Sequence, residues 1–593
     1  MSTITKPGTE SANWFSRTCL ALIFALSCAI SYAQDPVFDH ELPDEMKWSK
    51  VTPVGSLMVG GEKYLAHYQA DGEQLWIRDD VRNLASFSVR IVPGLPYVVI
   101  SELISKIPPK SNLQVLDLMT GETIWETGET SGSNLGGFAM PETNSVVFIR
   151  DISGEKGLKA GTYISKYDLA NGNEIWQTRI GAIGTLKRHN IDDNGFISGQ
   201  DLSGHPAPIV MDDSFLLFAG DIYSFNLESG ALQWHYKLKA FHPTLKRTYA
   251  RPILDGEILY AAGPKNVVAL NVADGTEIWK TKVAKAAIPQ LELSDGLLVG
   301  RYGGSFSDGK KIAQLKPFGA FVLNASDGKK NWDWKKAKDS ITNLVVAPDA
   351  NRVAFADKKY LYGMELNASK AVFANKEKLE FKRKMGTADV AAKGLGAVGG
   401  FLSGGLGGAA GSMAGGDRSD PPLDVSLYGN TVVVRGQFHV LGYDVDNRTT
   451  AWSVEFAPPG MSGLALVAMS AVTAGASYGN AIGARGSSSY STANAYASST
   501  NNINKAFQGM VSSRFAASES DSNVGFFLTK EDDDRFLVGL DLRTGERVGA
   551  IPMKEKEPNF MVDAIAGRVY YFADNSRIAA YDFAAPTDPA PEG

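Results

Sequence analysis

The chain has 593 residues, with 59 Lys and Arg against 65 Asp and Glu, a formal net charge of −6 and a hydrophobic fraction of 44%. It has no basic surplus to neutralise phosphates, which argues against nucleic-acid binding. The apolar content is sufficient to build a core, so a chain that is disordered throughout is excluded as well.

The N-terminal residues 1–33 have the pattern of a signal peptide. Two basic residues precede the apolar run 20–26, which is too short to span a bilayer, and the small residues Ser31 and Ala33 suit the positions before a cleavage site. We therefore predict cleavage after Ala33 and export to the periplasm. A lipoprotein signal ending at Cys28 is the alternative, although the residues before Cys28 lack the usual large aliphatic side chain.

The only two cysteines, Cys19 and Cys28, both lie within this signal. Cleavage after Ala33 would leave a mature chain without cysteine and one unit more negative than the precursor. Thiol catalysis, disulfides and cysteine metal sites are then excluded.

A repeated motif organises the rest of the chain. It consists of an apolar strand ending in Asp or Asn, a short turn, a glycine, and a tryptophan four residues after the glycine. The clear copies are Gly72 with Trp76, Gly121 with Trp125, Gly172 with Trp176, Gly230 with Trp234, Gly275 with Trp279, and Gly328 with Trp332. Successive glycines are 49, 51, 58, 45 and 53 residues apart, a pitch that fits a four-stranded antiparallel blade, and several such blades form a β-propeller.

Each residue of the motif has a physical role. Asp or Asn hydrogen-bonds to backbone in the turn, and Gly supplies a positive φ. We expect the Trp to fill the gap between neighbouring sheets, with its indole N–H on a backbone carbonyl. Three degenerate copies continue the series: Ser369 with Phe373, Arg448 with Trp452, and Gly545 with Gly549 at the Trp position.

The motif resembles the docking turn of the PQQ-like (quinoprotein-type) β-propeller family, over residues 46–583 approximately. The resemblance implies an all-β fold with eight four-stranded blades, so one of the nine turns should not head its own blade, and the unit at 46–78 is the best candidate. The final strand 578–583 has no turn after it. We expect Trp48, in the segment 46–51, to supply its missing outer strand and close the ring. A short Ala/Pro tail, 584–593, follows.

One segment resembles a calcium-binding loop of the EF-hand type. Oxygen-bearing side chains and a backbone carbonyl occupy the ligand positions, and the candidate ligands are Asn190, Asp192, Asn194, Phe196, Ser198 and Asp201. Asn at the first position and Asp at the last depart from the usual loop. An Asp-Asn-Gly hairpin turn is the alternative, because Asn-Gly is itself a strong turn signal.

Two glycine-rich insertions interrupt the repeat, at about 384–419 and 457–514. Their uncharged cores, 394–416 and 457–484, place glycines at every fourth position, the spacing that lets two helices approach closely. One interpretation is a glycine-zipper unit that contacts lipid or pairs two protomers. The other is a pair of loops, because glycine disfavours helix and contributes little transfer energy. Residues 486–504 have the composition of a linker.

The family resemblance implies two functions of different kinds. Non-catalytic members act in outer-membrane protein assembly, and we expect this chain to be a periplasmic or envelope scaffold that binds envelope proteins, with no cofactor other than a candidate Ca²⁺. The alternative is a PQQ-dependent periplasmic dehydrogenase. That family holds its quinone in the central channel between a Trp and a vicinal disulfide, which a cysteine-free chain cannot form. We therefore expect no PQQ and assign no catalytic residue.

Overall fold

The computed structural model describes residues 35–185, 208–381, 420–457 and 524–583, with gaps of one to four residues inside these ranges. This part of the chain is all-β, and its one helical element is a 3-10 turn at Ser86–Ser88. The calcium-loop candidate, the signal peptide, the C-terminal tail and most of the two glycine-rich insertions lie outside the described residues.

The strands form antiparallel sheets that follow one another along the chain, and each sheet is one blade. The blades of the first half are blade 1 with β2 (Met46–Val51), β3 (Leu57–Gly61), β4 (Leu65–Tyr68) and β5 (Gln74–Arg78); blade 2 with β6 (Val89–Ile91), β7 (Tyr97–Lys106), β8 (Pro109–Asp117), β9 (Thr123–Glu126) and the added β10 (Thr130–Ser131); blade 3 with β11 (Ser133–Met140), β12 (Ser145–Ile152), β13 (Gly161–Asp168) and β14 (Glu174–Gly181); blade 4 with β15 (Ile209–Val210), β16 (Ser214–Phe218), β17 (Ile222–Asn226) and β18 (Leu232–Tyr236); and blade 5 with β19 (Ile253–Asp255), β20 (Ile258–Ala262), β21 (Asn266–Asn271) and β22 (Glu277–Lys282).

The second half continues the same order. Its blades are blade 6 with β23 (Gln290–Ser294), β24 (Leu297–Ser307), β25 (Ile312–Asn324) and β26 (Lys330–Trp334); blade 7 with β27 (Leu344–Ala347), β28 (Arg352–Ala356), β29 (Tyr360–Glu365) and β30 (Phe373–Lys378); blade 8 with β31 (Asp424–Tyr428), β32 (Thr431–Arg435), β33 (His439–Asp444) and β34 (Thr449–Glu455); blade 9 with β35 (Val524–Glu531), β36 (Asp534–Asp541) and β37 (Arg547–Met553); and blade 10 with β38 (Asn559–Asp563), β39 (Arg568–Ala573), β40 (Arg577–Asp582) and β1 (Phe38–Glu41).

The described residues form ten blades, so the expectation of eight is wrong. The unit at 46–78 is a complete blade of its own, not a shared one. Blades 1 to 9 each contain one of the nine motif turns, which connects the last two strands of the blade, the added β10 of blade 2 aside. Blade 10 has no such turn, because its fourth strand comes from the other end of the chain.

The ring closes between the two ends of the described chain, through a different segment from the one predicted. Phe38–Glu41 pairs antiparallel with β40, with Asp39 opposite Ala579. The predicted segment, Met46–Val51, pairs with β3 inside blade 1 instead. Arg577 Nε donates to Asp39 Oδ1 at 2.5 Å and adds a charged contact to this closure.

The apolar core lies between the blades. Each neighbouring pair of blades buries its own cluster of apolar side chains, and the last cluster joins blade 10 to blade 1. In that last cluster Leu57 and Val59 pack with Tyr570 and Phe572, which are all fully buried or nearly so. Burying one such side chain contributes about 1.5–3 kcal/mol, so the junctions between blades, and not the blades taken singly, stabilise the ring.

Candidate functional site

The motif residues form the joints between blades. On blades 1 to 6 and 8, the indole Nε1–H donates to a backbone carbonyl oxygen in the motif turn of the next blade at 2.8–3.3 Å. The pairs are Trp76 with Leu118, Trp125 with Leu169, Trp176 with Leu227, Trp234 with Val272, Trp279 with Ala325, Trp332 with Leu366, and Trp452 with Arg543.

The turn glycine is required because the preceding tryptophan lies against it. At Gly275, φ is 70°, and an added Cβ would stand less than 3.0 Å from the ring of Trp234. The same close approach recurs at Gly121, Gly172, Gly230, Gly328 and Gly545. Gly72 has no tryptophan before it, and the side chains of Phe38 and His40 from the closing strand take that place. The motif residues therefore form structural joints between neighbouring blades.

The innermost strands carry polar side chains that reach across to the next blade. Lys50 Nζ donates to the carbonyl oxygens of Ser86 and Val89 at 2.5 and 2.6 Å. Gln290 bonds to both the backbone N–H and the carbonyl of Leu344, and blades 7 and 8 share a similar two-way contact between Asn343 and Val425. Since these strands come first in their sheets, they surround the central channel of the ring.

Two titratable groups on these inner strands have pKa values near neutrality. Burial, together with the nearby charge of Arg90, lowers the pKa of Lys50 to about 7. Burial raises the pKa of Glu292 to about 7, although its hydrogen bond from Gln290 acts in the opposite direction. Burial also lowers the pKa of Arg251. The sequence motif did not point to these residues, because they lie outside the repeated turns.

A cavity of about 340 Å³ lies between blades 8 and 9. Apolar side chains line it, including Phe456 and Leu540, and charged side chains are at its rim. One rim pair, Arg547 and Glu531, is joined by an ion pair of 2.7 Å. The described ranges contain no group of three or more His, Cys, Asp or Glu placed to hold a metal ion, and no helix in them has the length and apolarity to cross a membrane.

The outer edge of the ring exposes apolar side chains. Those on the outermost strands of their blades are between 41% and 49% exposed, and they are Ile77, Ile175, Leu232, Ile278 and Phe373. An outermost strand also leaves one row of backbone N–H and C=O groups without a strand partner. Apolar side chains beside such an edge are typical of a surface that binds another polypeptide.

Comparison with known proteins identifies the repeat type. The family model described as "Outer membrane protein assembly factor BamB" matches residues 218–368, which extend from blade 4 through blade 7. No curated protein matches the chain.

Similar solved structures include BamB from Moraxella catarrhalis, with 14% identity over 72% of this chain and 100% of that chain, and a TM-score of 0.34. The computationally designed Ika8 protein has 10% identity over 72% of this chain and 99% of that chain, with a TM-score of 0.32. A europium-containing methanol dehydrogenase has 10% identity over 73% of this chain and 82% of that chain, with a TM-score of 0.31.

Proposed function

Because the chain is a β-propeller of PQQ-like repeats that resembles BamB across blades 4 to 7, we propose that it is a non-catalytic scaffold of the cell envelope that binds protein partners. The observation that carries this proposal is the family match over residues 218–368. The finer form of the proposal is a role in outer-membrane protein assembly, at the periplasmic side of the outer membrane.

The outer edge of blades 3, 4 and 5 is the surface that we assign to partner binding. Ile175, Leu232 and Ile278 occupy the outermost strands there and are 47%, 45% and 49% exposed. Two of these three blades lie in the region that matches the family model. An extended segment of a partner could pair with an edge strand through its backbone and cover the aliphatic side chain with its own.

Replacing these three side chains tests the proposal. The triple variant Ile175→Lys, Leu232→Lys and Ile278→Lys should stay folded, because the side chains are exposed, and should lose its envelope partners. The measurement is cross-linking in envelopes, followed by purification and mass spectrometry of the captured proteins. The matched control places the same charges on exposed positions of the motif turns in the same blades, as Asn173→Lys, Ala231→Lys and Ala273→Lys.

The result that supports the proposal is a set of partners captured by the wild type and the control but not by the edge variant. An unchanged set of partners in the edge variant, or an equal loss in both variants, would contradict it. Saturable dye reduction by the purified protein with added quinone, Ca²⁺ and an alcohol would support the dehydrogenase alternative instead.

A further inference from the structure

The antiparallel order of the strands gives the ring two different faces. In a four-stranded blade, the connections from the first to the second strand and from the third to the fourth lie at one end. We call this end the motif face, since it holds the motif turns. The connections from the second to the third strand, and from the fourth strand to the next blade, lie at the other end, which we call the loop face.

The loop face of blades 4 to 7 is rich in lysine. In the part of these connections and adjoining strand ends that the structure describes, nine lysines are exposed, and they are Lys237, Lys239, Lys265, Lys282, Lys335, Lys336, Lys338, Lys359 and Lys378. The described acidic residues of the same connections are few. Asp357 is buried and accepts hydrogen bonds from its own turn, Asp221 contacts His235, and Glu380 pairs with Lys378. Asp333, one residue before the end of β26, pairs with Lys335 at 2.8 Å.

The motif face of the same four blades has the opposite charge. Its turns and the adjoining strand ends carry eleven acidic residues, which are Asp212, Asp213, Glu228, Asp255, Glu257, Asp274, Glu277, Asp295, Asp327, Asp349 and Glu365. The lysines of these turns and strand ends are Lys329, Lys330 and Lys370, and Lys329 pairs with Asp327 at 2.7 Å. A chain with a net negative charge thus concentrates positive charge on one face of four adjacent blades.

Exposed apolar side chains extend the loop face into blades 2 and 3. Leu103 and Ile104 are 47% and 42% exposed, Leu158 is 42% exposed, and Ile183 is 53% exposed. All four lie in or beside loop-face connections. On the motif face, Leu232 and Phe373 begin the strands that directly follow motif turns and are 45% and 44% exposed, whereas the described motif-face turns themselves contain no exposed large apolar side chain.

Leu103 and Ile104 stand on a hairpin that projects from its blade. The inner strand β6 pairs with β7 at residues 98–100 only, whereas β7 and β8 remain paired out to Lys106 and Pro109. The hairpin therefore extends beyond the inner strand, with apolar side chains near its tip and Lys110 beside them, where it forms an ion pair with Glu129.

We propose that the loop face of blades 2 to 7 docks on an anionic phospholipid surface. Lysines on this face would lie against the lipid headgroups, and the apolar tips of blades 2 and 3 would enter the boundary between headgroups and acyl chains. A lipid surface fits better than an acidic protein, because the apolar side chains stand on separate connections and form no continuous groove. This inference goes beyond the protein-binding role, which uses the outer edge of the ring.

Vesicle binding by the purified full-length chain tests the proposal. The probe is a set of phosphatidylcholine vesicles with about 30 mol% phosphatidylglycerol, compared with pure phosphatidylcholine vesicles. We expect flotation with the anionic vesicles only, and a loss of binding as salt shortens the screening length. The variant Lys335→Glu with Lys336→Glu should bind at least roughly 30-fold more weakly, since each lysine lost near an anionic surface costs about 1 kcal/mol and each new glutamate adds repulsion.

A matched control reverses two lysines of blades 6 and 7 on the motif face, as Lys329→Glu with Lys370→Glu. It changes the net charge by the same amount and should bind like the wild type. A second comparison uses two double variants. One carries Leu103→Ser and Ile104→Ser on the loop face, and the other carries Ile175→Ser and Ile278→Ser on the outer edge. The loop-face variant should bind the anionic vesicles more weakly than the outer-edge variant.

Four results would overturn the proposal. The first is no flotation with anionic vesicles, and the second is equal flotation with neutral vesicles. The third is equal weakening of binding in the loop-face and motif-face lysine variants. The fourth is displacement of the vesicles by poly-glutamate, combined with unchanged vesicle binding by the variant with Leu103→Ser and Ile104→Ser. The last result would assign this face to an acidic protein partner. Circular dichroism of each variant separates loss of binding from loss of fold.

Discussion

The two faces of the ring differ in what their residues do. On the motif face, the turns hold the blades together. The carboxylate of Asp117, for example, accepts hydrogen bonds from the backbone N–H groups of its own turn, and the following Gly121 lies against Trp76 of the blade before. On the loop face, the connections vary in length and sequence, and their lysines and apolar tips are exposed.

This difference shows where function is to be sought in a repeat protein. The motif residues that recur from blade to blade form the joints, so substitutions of these residues should change the stability of the protein. Residues that differ from blade to blade, such as Lys336 and Leu103, take no part in the joints and are exposed, so they can contact another molecule. The following predictions test this division, from the largest expected effect to the smallest.

Removing a joint tryptophan should cause the largest loss of stability. In Trp234→Ala, the indole side chain between blades 4 and 5 is lost together with its hydrogen bond to the Val272 carbonyl oxygen at 3.0 Å. A substitution of this kind costs about 3 kcal/mol, and chemical denaturation followed by tryptophan fluorescence and circular dichroism measures it. Phe373→Ala is the control. The sequence motif suggested Phe373 for the tryptophan position of blade 7, but the turn there is longer, and Asn375 lies opposite Gly363 as Trp234 lies opposite Ser224. Phe373 is 44% exposed, so its loss should cost less than about 1 kcal/mol. Equal losses would contradict the role of the joint.

Replacing turn glycines by alanine should distinguish the cost of the close contact with tryptophan from the cost of backbone strain. Gly275 and Gly256 have φ values of 70° and 56°, so alanine is strained at both. An added Cβ meets Trp234 at Gly275 but nothing within 4 Å at Gly256. We expect Gly256→Ala to cost about 1 kcal/mol and Gly275→Ala about 1–2 kcal/mol more. Identical denaturation midpoints would show that the close contact with tryptophan is unimportant.

The smallest expected effect concerns pH and the inner strand of blade 6. Burial raises the pKa of Glu292 from 4.5 to about 7. Between these two values the native chain holds a proton that the unfolded chain has lost, so the contribution of Glu292 to stability falls as the pH rises through about 7. Glu292→Gln should match the wild type at pH 4.5 and melt roughly 1–2 °C above it at pH 8. Equal melting temperatures of the two proteins at pH 8 would contradict this prediction.

The sequence predicted the joints because their chemistry repeats. The indole of each motif tryptophan needs a carbonyl oxygen to bond and a turn without a Cβ beside it, and this requirement leaves Gly and Trp together at six of the nine copies. The blade count was wrong for two reasons. The family resemblance implied eight blades, so the turn of 46–78 was discounted, and blade 10 has no motif turn. Gly72 nevertheless indicated a blade before blade 1. Each motif glycine packs against an aromatic side chain from the preceding blade. For Gly72, Phe38 and His40 provide these side chains.

The inner-strand and loop-face residues could not be predicted in the same way. Lys50 and Glu292 have shifted pKa values because the ring surrounds them with protein, and no local pattern marks that environment. The lysines of blades 4 to 7 were visible in the sequence, but their common face depends on strand direction. Only the order of strands within each blade brings Lys237, Lys335 and Lys359 to one side.

The closed ten-bladed ring is tested most directly by a disulfide across its closure. In a chain with Cys19→Ser and Cys28→Ser, the pair Asp39→Cys and Ala579→Cys places two cysteines on strands that face each other. We expect an intramolecular disulfide, seen as faster migration on a non-reducing gel and a higher melting temperature. The pair Ser49→Cys and Ala579→Cys should stay reduced, because Ser49 lies opposite Val59 within blade 1. A disulfide in the second pair and none in the first would contradict the closure described for this ring.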